Sequence, residues 1–195
     1  MKEISKDKYS QVFYDEKKDI YIKNFTPKLK KRIKFFLGLR KYPGKNYKYI
    51  SDLFNKMGIK TPEIVEYGKY HIITKNISGK ILEKVLEEEK DKIKIEKYLK
   101  KYIEIVSIIL KNKIYYEDFH FGNFILFNDD LYILDLEDYK KDILFIFREK
   151  KIFKILKRKL MIIVYDKLRE KGIDAIKIYK EIKKNVYLGE NNGKD

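Results

Sequence analysis

Cysteine is absent from this 195-residue chain, which excludes disulfides and thiolate chemistry. Only two histidines occur, His71 and His120, too few to build a histidine-based zinc site. No stretch reaches the roughly 18–20 uncharged apolar residues that a membrane span needs. Residues 1–8 are too charged for a signal peptide, so the expectation is a cytoplasmic protein. Alanine occurs once, at Ala175, while isoleucine, lysine and asparagine abound, a bias expected of an AT-rich bacterial genome. There is no internal repeat, no Pro- or Ser-rich linker and no low-complexity tract beyond the lysine bias. Helix-turn-helix, zinc-finger and RNA-binding signatures are also missing, which leaves nucleic acid outside the expected partners.

What is present is a globular composition with a strong basic bias. Apolar residues make up 44% of the chain, enough for one sizeable core or two small lobes sharing a cleft. Lys and Arg outnumber Asp and Glu by 46 to 30, a formal charge of +16 spread along the whole length. Such charge reads either as a solvated surface or as attraction to something anionic, whether nucleic acid, a membrane surface or a phosphorylated substrate, and charge alone does not choose among them. β-rich runs at 11–14 and 20–25 flank a charged turn. Helices are expected at about 28–39 and 45–57, the second stopped by Gly58. Residues 63–67 and 70–77 flank Gly68-Lys69 as a hairpin, and a helical region rich in Glu and Lys follows Gly79. The clearest helix runs over 93–111, where Ile95, Tyr98, Leu99, Tyr102, Ile103, Val106, Ile109 and Leu110 share one face. Two short apolar runs, 124–127 and 131–134, enclose a turn at 128–130, and a basic amphipathic helical tail covers about 142–187. The order is that of an α+β protein.

The chemistry concentrates in Tyr116-Glu117-Asp118-Phe119-His120-Phe121-Gly122-Asn123 and in Leu134-Asp135-Leu136-Glu137. Asp118 and Asn123 are five apart in a loop that leaves a helix and enters a hairpin, and Asp135 ends that hairpin. A hairpin returns its ends to one place, so loop and carboxylate are expected side by side. Phosphoryl transfer uses such groups: one carboxylate orients the attacking hydroxyl and takes its proton, while an amide oxygen and a second carboxylate hold Mg²⁺ on the phosphates. His120 is expected to pin the loop through hydrogen bonds. Glu137 stands either beside the cation's ligands or at the start of the next helix.

These residues resemble the D-x-x-x-x-N catalytic loop and metal-binding Asp of protein-kinase-like enzymes, and the local form is similar to the bacterial lipopolysaccharide core heptose kinases. Tyr21-Ile22-Lys23 resembles the strand carrying the phosphate-binding lysine, Gly58-Ile59-Lys60-Thr61-Pro62 the G-I-x-x-P segment, and Ile77-Ser78-Gly79 the hinge. The likeness spans roughly residues 6–142. It implies a two-lobed fold with a β-rich lobe over 1–77 and a mainly helical lobe over 78–195. It further implies ATP and Mg²⁺ as cofactors, Asp118 as catalytic base, Lys23 on the nucleotide, and Asn123 and Asp135 on nucleotide and metal. The implied acceptor is a sugar hydroxyl, a heptose of the lipopolysaccharide inner core. The alternatives are kinases of other small molecules and a non-catalytic binding module. Peripheral contact with the anionic inner face of the cytoplasmic membrane is a further expectation, through Arg148, Lys150, Lys151, Lys154, Lys157, Arg158 and Lys159 of the tail. The chain departs from the family pattern at three places. No glycine-rich motif lies between the first strands, and Tyr116-Glu117 precede Asp118. Asn46 or Tyr47 fall where the first-lobe helix should offer Lys23 an acid, with Asp52 the nearest carboxylate.

Overall fold

The computed structural model describes residues 1–142 and 144–188, so the end of the helical lobe expected over 78–195 lies outside the described residues. Within them the chain forms two units, one of residues 1–78 with 133–139 and one of 79–132 with the remainder. The sequence reading divides the chain only once, after residue 77.

The first unit is built on hairpins. β1 (Lys2–Lys6), β2 (Ser10–Asp15) and β3 (Ile20–Phe25) run antiparallel, and Asp19 turns β2 into β3 at a φ of 52° that aspartate tolerates. β1 escapes the sequence reading because K-E-I-S-K carries a single apolar residue; it is an exposed edge strand, where charge guards against stray pairing. α1 (Leu29–Phe36) and α2 (Pro43–Lys56) follow, then β4 (Ile64–Tyr67) and β5 (His71–Lys75). The sheet order is β1-β2-β3-β5-β4, which puts Lys23 of β3 opposite Ile72 of β5. Pro43 starts α2, its fixed φ suiting the first helical position. Tyr47, Ile50 and Phe54, at three- and four-residue spacing, form its buried face. Gly44 is required where it stands, since a Cβ there would lie 2.2 Å from the His71 carbonyl oxygen. The segment 133–139 is tied to this unit: Ile133 N–H donates to the Lys60 carbonyl at 3.0 Å, and buried Tyr139 packs edge-on against Phe54.

The second unit comprises β6 (Lys80–Ile81), α3 (Leu82–Glu88), α4 (Lys92–Lys111), β7 (Ile114–Tyr115), β8 (Phe124–Phe127), β9 (Asp130–Ile133, its last residue leading into the first unit), β10 (Lys140–Lys141), α5 (Phe145–Ile163) and α6 (Ala175–Leu188). Asp91 caps α4 by accepting from Ile93 N–H at 2.9 Å, and the helix buries the apolar face that its periodicity predicts. The helical tail consists of two helices: a π turn and a 3₁₀ turn follow α5, and Gly172 at φ 72° lets the chain reverse into α6. β8 and β9 are joined by Asn128 and Asp129, both at positive φ as a tight hairpin turn requires. The architecture is α+β, with the larger sheet confined to the N-terminal part and the longest helices to the C-terminal part. No helix among the described residues is long and apolar enough to cross a membrane.

Candidate active site

In the first unit the structure joins Lys23 to Asp135 across 112 residues of sequence. The Lys23 ammonium donates to Asp135 Oδ1 at 2.7 Å and lies 2.6 Å from Glu137 Oε1. Asp135 sits at φ 56°, ψ 50°, a left-handed conformation that aspartate, as at Asp19, accommodates better than most side chains. The segment is held by Asn46 of α2, whose amide nitrogen donates to the carbonyls of Glu137 at 2.9 Å and Tyr139 at 2.7 Å. So the helix position that lacks an acid supplies a clamp instead, while Asp52 pairs with Lys48 on its own helix. The acid facing Lys23 comes from the D-x-E segment.

Two carboxylates share one ammonium, which leaves a negative charge uncompensated. Burial pushes the Glu137 carboxyl above its ordinary range, against the pull of Lys23. For Lys23 burial opposes the charge, but Glu137 and Asp135 outweigh it and hold the ammonium firmly protonated. Burial, with Glu137 and then Asp135 adding to it, raises the Tyr47 hydroxyl far above its usual value. The two acids differ in access: the Asp135 side chain is 49% exposed and that of Glu137 only 16%. Glu137 Oε2 is buried and accepts no hydrogen bond from another residue among those described. A pocket of about 330 Å³ opens here, lined by Lys23, Asp135, Glu137, Tyr9, Lys28 and Arg40 among others. Four acids and four cations line it, and the accessible carboxylate oxygens of Asp135 are of the hard type that a divalent cation takes. No cluster of three acidic or histidine side chains able to hold a metal occurs among the described residues, so such an ion would also draw on amide, phosphate or water oxygens.

In the second unit, aromatic packing fixes the loop between β7 and β8. Tyr102 of α4 donates its hydroxyl to the Phe119 carbonyl at 2.6 Å and meets the rings of Phe121 and Phe124 edge-on. Buried Asn123 donates its amide nitrogen to the Asp118 carbonyl and to the Tyr116 hydroxyl, both at 2.9 Å. That leaves its amide oxygen as the atom to offer a cation. Asp118 is half-exposed; one of its oxygens takes Lys159 of α5 and the other lies 3.7 Å from His120 Nε2, beyond hydrogen-bonding reach. Lys159 thus turns from the expected lipid-facing tail toward the candidate base. A larger pocket of about 520 Å³ lies along α4 and α6, lined by Ile95, Leu99 and Ile178, and includes no motif residue.

Sequence reasoning missed Asn46 as a clamp, Glu137 as the acid facing Lys23, and Lys159. Asn46 stood at the counted helix position, and Glu137 was visible in D-x-E. Nothing singles out Lys159 in a lysine-rich helix 41 residues beyond Asp118.

No family model matches the chain, and none of the curated proteins compared with it matches. Among solved structures it is similar to the Rio2 kinase–ADP/Mg²⁺–phosphoaspartate complex from Chaetomium thermophilum, with a TM-score of 0.59, 15% identity and coverage of 100% of this chain. That match takes in 62% of the Rio2 chain, so this protein spans less than two-thirds of its length. It is also similar to WaaP in complex with acyl carrier protein, with a TM-score of 0.55 and 12% identity over 95% of this chain and 87% of that one. Identities this low carry the architecture and not the reaction: the chain has the protein-kinase-like fold.

Proposed function

We propose that this protein is an ATP- and Mg²⁺-dependent phosphotransferase acting on a sugar hydroxyl, with a heptose of the lipopolysaccharide inner core as acceptor. The observation that carries the reading is the convergence of Lys23, Asp135 and Glu137 in a pocket of a kinase-like fold. The motif spacing of Asp118, Asn123 and Asp135 supports it from the sequence side. In this reading the acceptor hydroxyl attacks the γ-phosphorus of ATP as the bond to the β–γ bridging oxygen breaks, and Asp118 takes the hydroxyl proton. Lys23 holds the phosphates, and Glu137 holds Lys23. By the motif spacing, Asp135, the more accessible acid, and the Asn123 amide oxygen would be the residues to hold Mg²⁺, which would supply charge neutralisation for the phosphates. The acceptor would be a lipid-linked, anionic glycan, in keeping with the basic chain.

The test is label transfer from γ-labelled ATP to lipopolysaccharide core lacking inner-core phosphate, with Asp118→Ala beside the parent. Label in the core sugar, lost by about 10²–10⁴-fold in the variant, is the expected result. ATP binding without transfer would reject the acceptor, and absence of both would reject the kinase reading.

A further inference from the structure

Of α1 and α5, both basic and amphipathic, α1 keeps its apolar stripe uncovered. The central apolar residues of α5, namely Ile152, Phe153, Leu156 and Leu160, are buried within the second unit. On α1 the apolar residues face outward: Leu29 is 72% exposed, Ile33 51% and Phe36 84%. Their spacing of four and three places them on one stripe of the helix, which Lys30 and Lys34 border on one side and Arg32 on the other. Leu37 and Leu39, on either side of Gly38, are exposed as well, and the φ of 68° at Gly38 turns the chain out of the helix. The opposite face, Lys28, Lys31 and buried Phe35, lines the pocket that holds Lys23 and Asp135.

Charge narrows what covers the stripe. Residues 20–51 contain eight lysines, two arginines and no acid. A second copy of the chain would bring the same cations against these, so self-association through α1 is opposed by like charge. Nucleic acid would satisfy the lysines but not three exposed apolar side chains along one stripe. An anionic lipid layer satisfies both: the side chains enter the boundary between headgroups and acyl chains, and the flanking cations meet the phosphates.

We propose that α1 is an interfacial helix, with Leu29, Ile33 and Phe36 inserted in an anionic lipid surface and Lys30, Arg32 and Lys34 on its headgroup phosphates. What docking accomplishes rests on the functional reading above: α1 would bring the rim of the Lys23 pocket to the layer that carries the acceptor.

The chain has no tryptophan, so Phe36→Trp supplies a single fluorescent reporter at the stripe. The experiment adds vesicles of phosphatidylglycerol and phosphatidylcholine in equal parts, or of phosphatidylcholine alone, and follows emission and co-sedimentation. The expected result is a blue shift and pelleting with the anionic vesicles only, reversed by about 0.5 M salt, where screening acts within a few ångströms. In the parent background Leu29→Ser with Ile33→Ser should weaken pelleting about tenfold or more, with thermal unfolding unchanged because both residues are exposed. Pelleting with no shift in the reporter's emission would place lipid contact elsewhere and overturn the proposal, as would failure to pellet. A blue shift without lipid that grows with protein concentration would assign the stripe to self-association and also overturn it. Mg²⁺–ATP binding, measured without vesicles on the same preparation, separates the two readings. Loss of docking with nucleotide binding intact sinks only the lipid surface, and the reverse sinks only the kinase.

Discussion

A lysine between two carboxylates, one buried and one accessible, separates two tasks at the level of single residues. Burying an ion pair is costly unless both charges stay partnered, so Glu137 is suited to a permanent contact and Asp135 to one that opens for a cation. If Glu137 acts through Lys23, the two should not contribute independently. In a double-mutant cycle on Mg²⁺–ATP affinity, Glu137→Gln should weaken binding in the parent and have little further effect after Lys23→Met, with a coupling of about 0.5–3 kcal/mol. Additive losses, read by calorimetry, would make Glu137 a general support of the fold instead. Asp135→Asn should differ in kind, lowering the affinity of the nucleotide complex for Mn²⁺ measured by electron paramagnetic resonance, which Glu137→Gln should leave near the parent value.

At the scale of elements, α2 organises the first unit through two close contacts. Its amide at Asn46 satisfies two carbonyls of the segment after Asp135, and its start at Gly44 fits against the backbone of β5. Asn46→Ala strands those carbonyls, and a loss of about 1–3 kcal/mol is expected from urea unfolding midpoints. Gly44→Ala adds a Cβ where only 2.2 Å separates it from the His71 oxygen, so the helix or strand must shift. The expected cost is about 1–3 kcal/mol, from the same measurement. Such elements were readable in advance where local rules govern them. The apolar period of α4, the Gly58 stop and the 128–130 turn all signal through neighbouring residues. β1 was not readable, because an exposed edge strand needs no apolar alternation.

For the whole molecule, binding of Mg²⁺–ATP to the folded chain alone must raise its stability by mass action. At a free nucleotide concentration 100-fold above Kd the gain is about 2.7 kcal/mol. For a chain of this size that is a rise of about 5–10 °C in Tm, and removing the metal with EDTA should cancel it. A Tm indifferent to nucleotide and metal would contradict the proposed cofactors. The sequence by itself determined the fold class, the apolar face of α4, the 128–130 turn, and the spacing of Asp118, Asn123 and Asp135, since turn chemistry and hydrophobic period act over a few residues. The tertiary structure alone decided which acid faces Lys23, because that pairing closes across more than a hundred residues and any carboxylate could have filled it. It alone also distinguished α1 from α5. Both segments were readable as basic helices, but periodicity tells which side chains share a face and not whether another element covers that face.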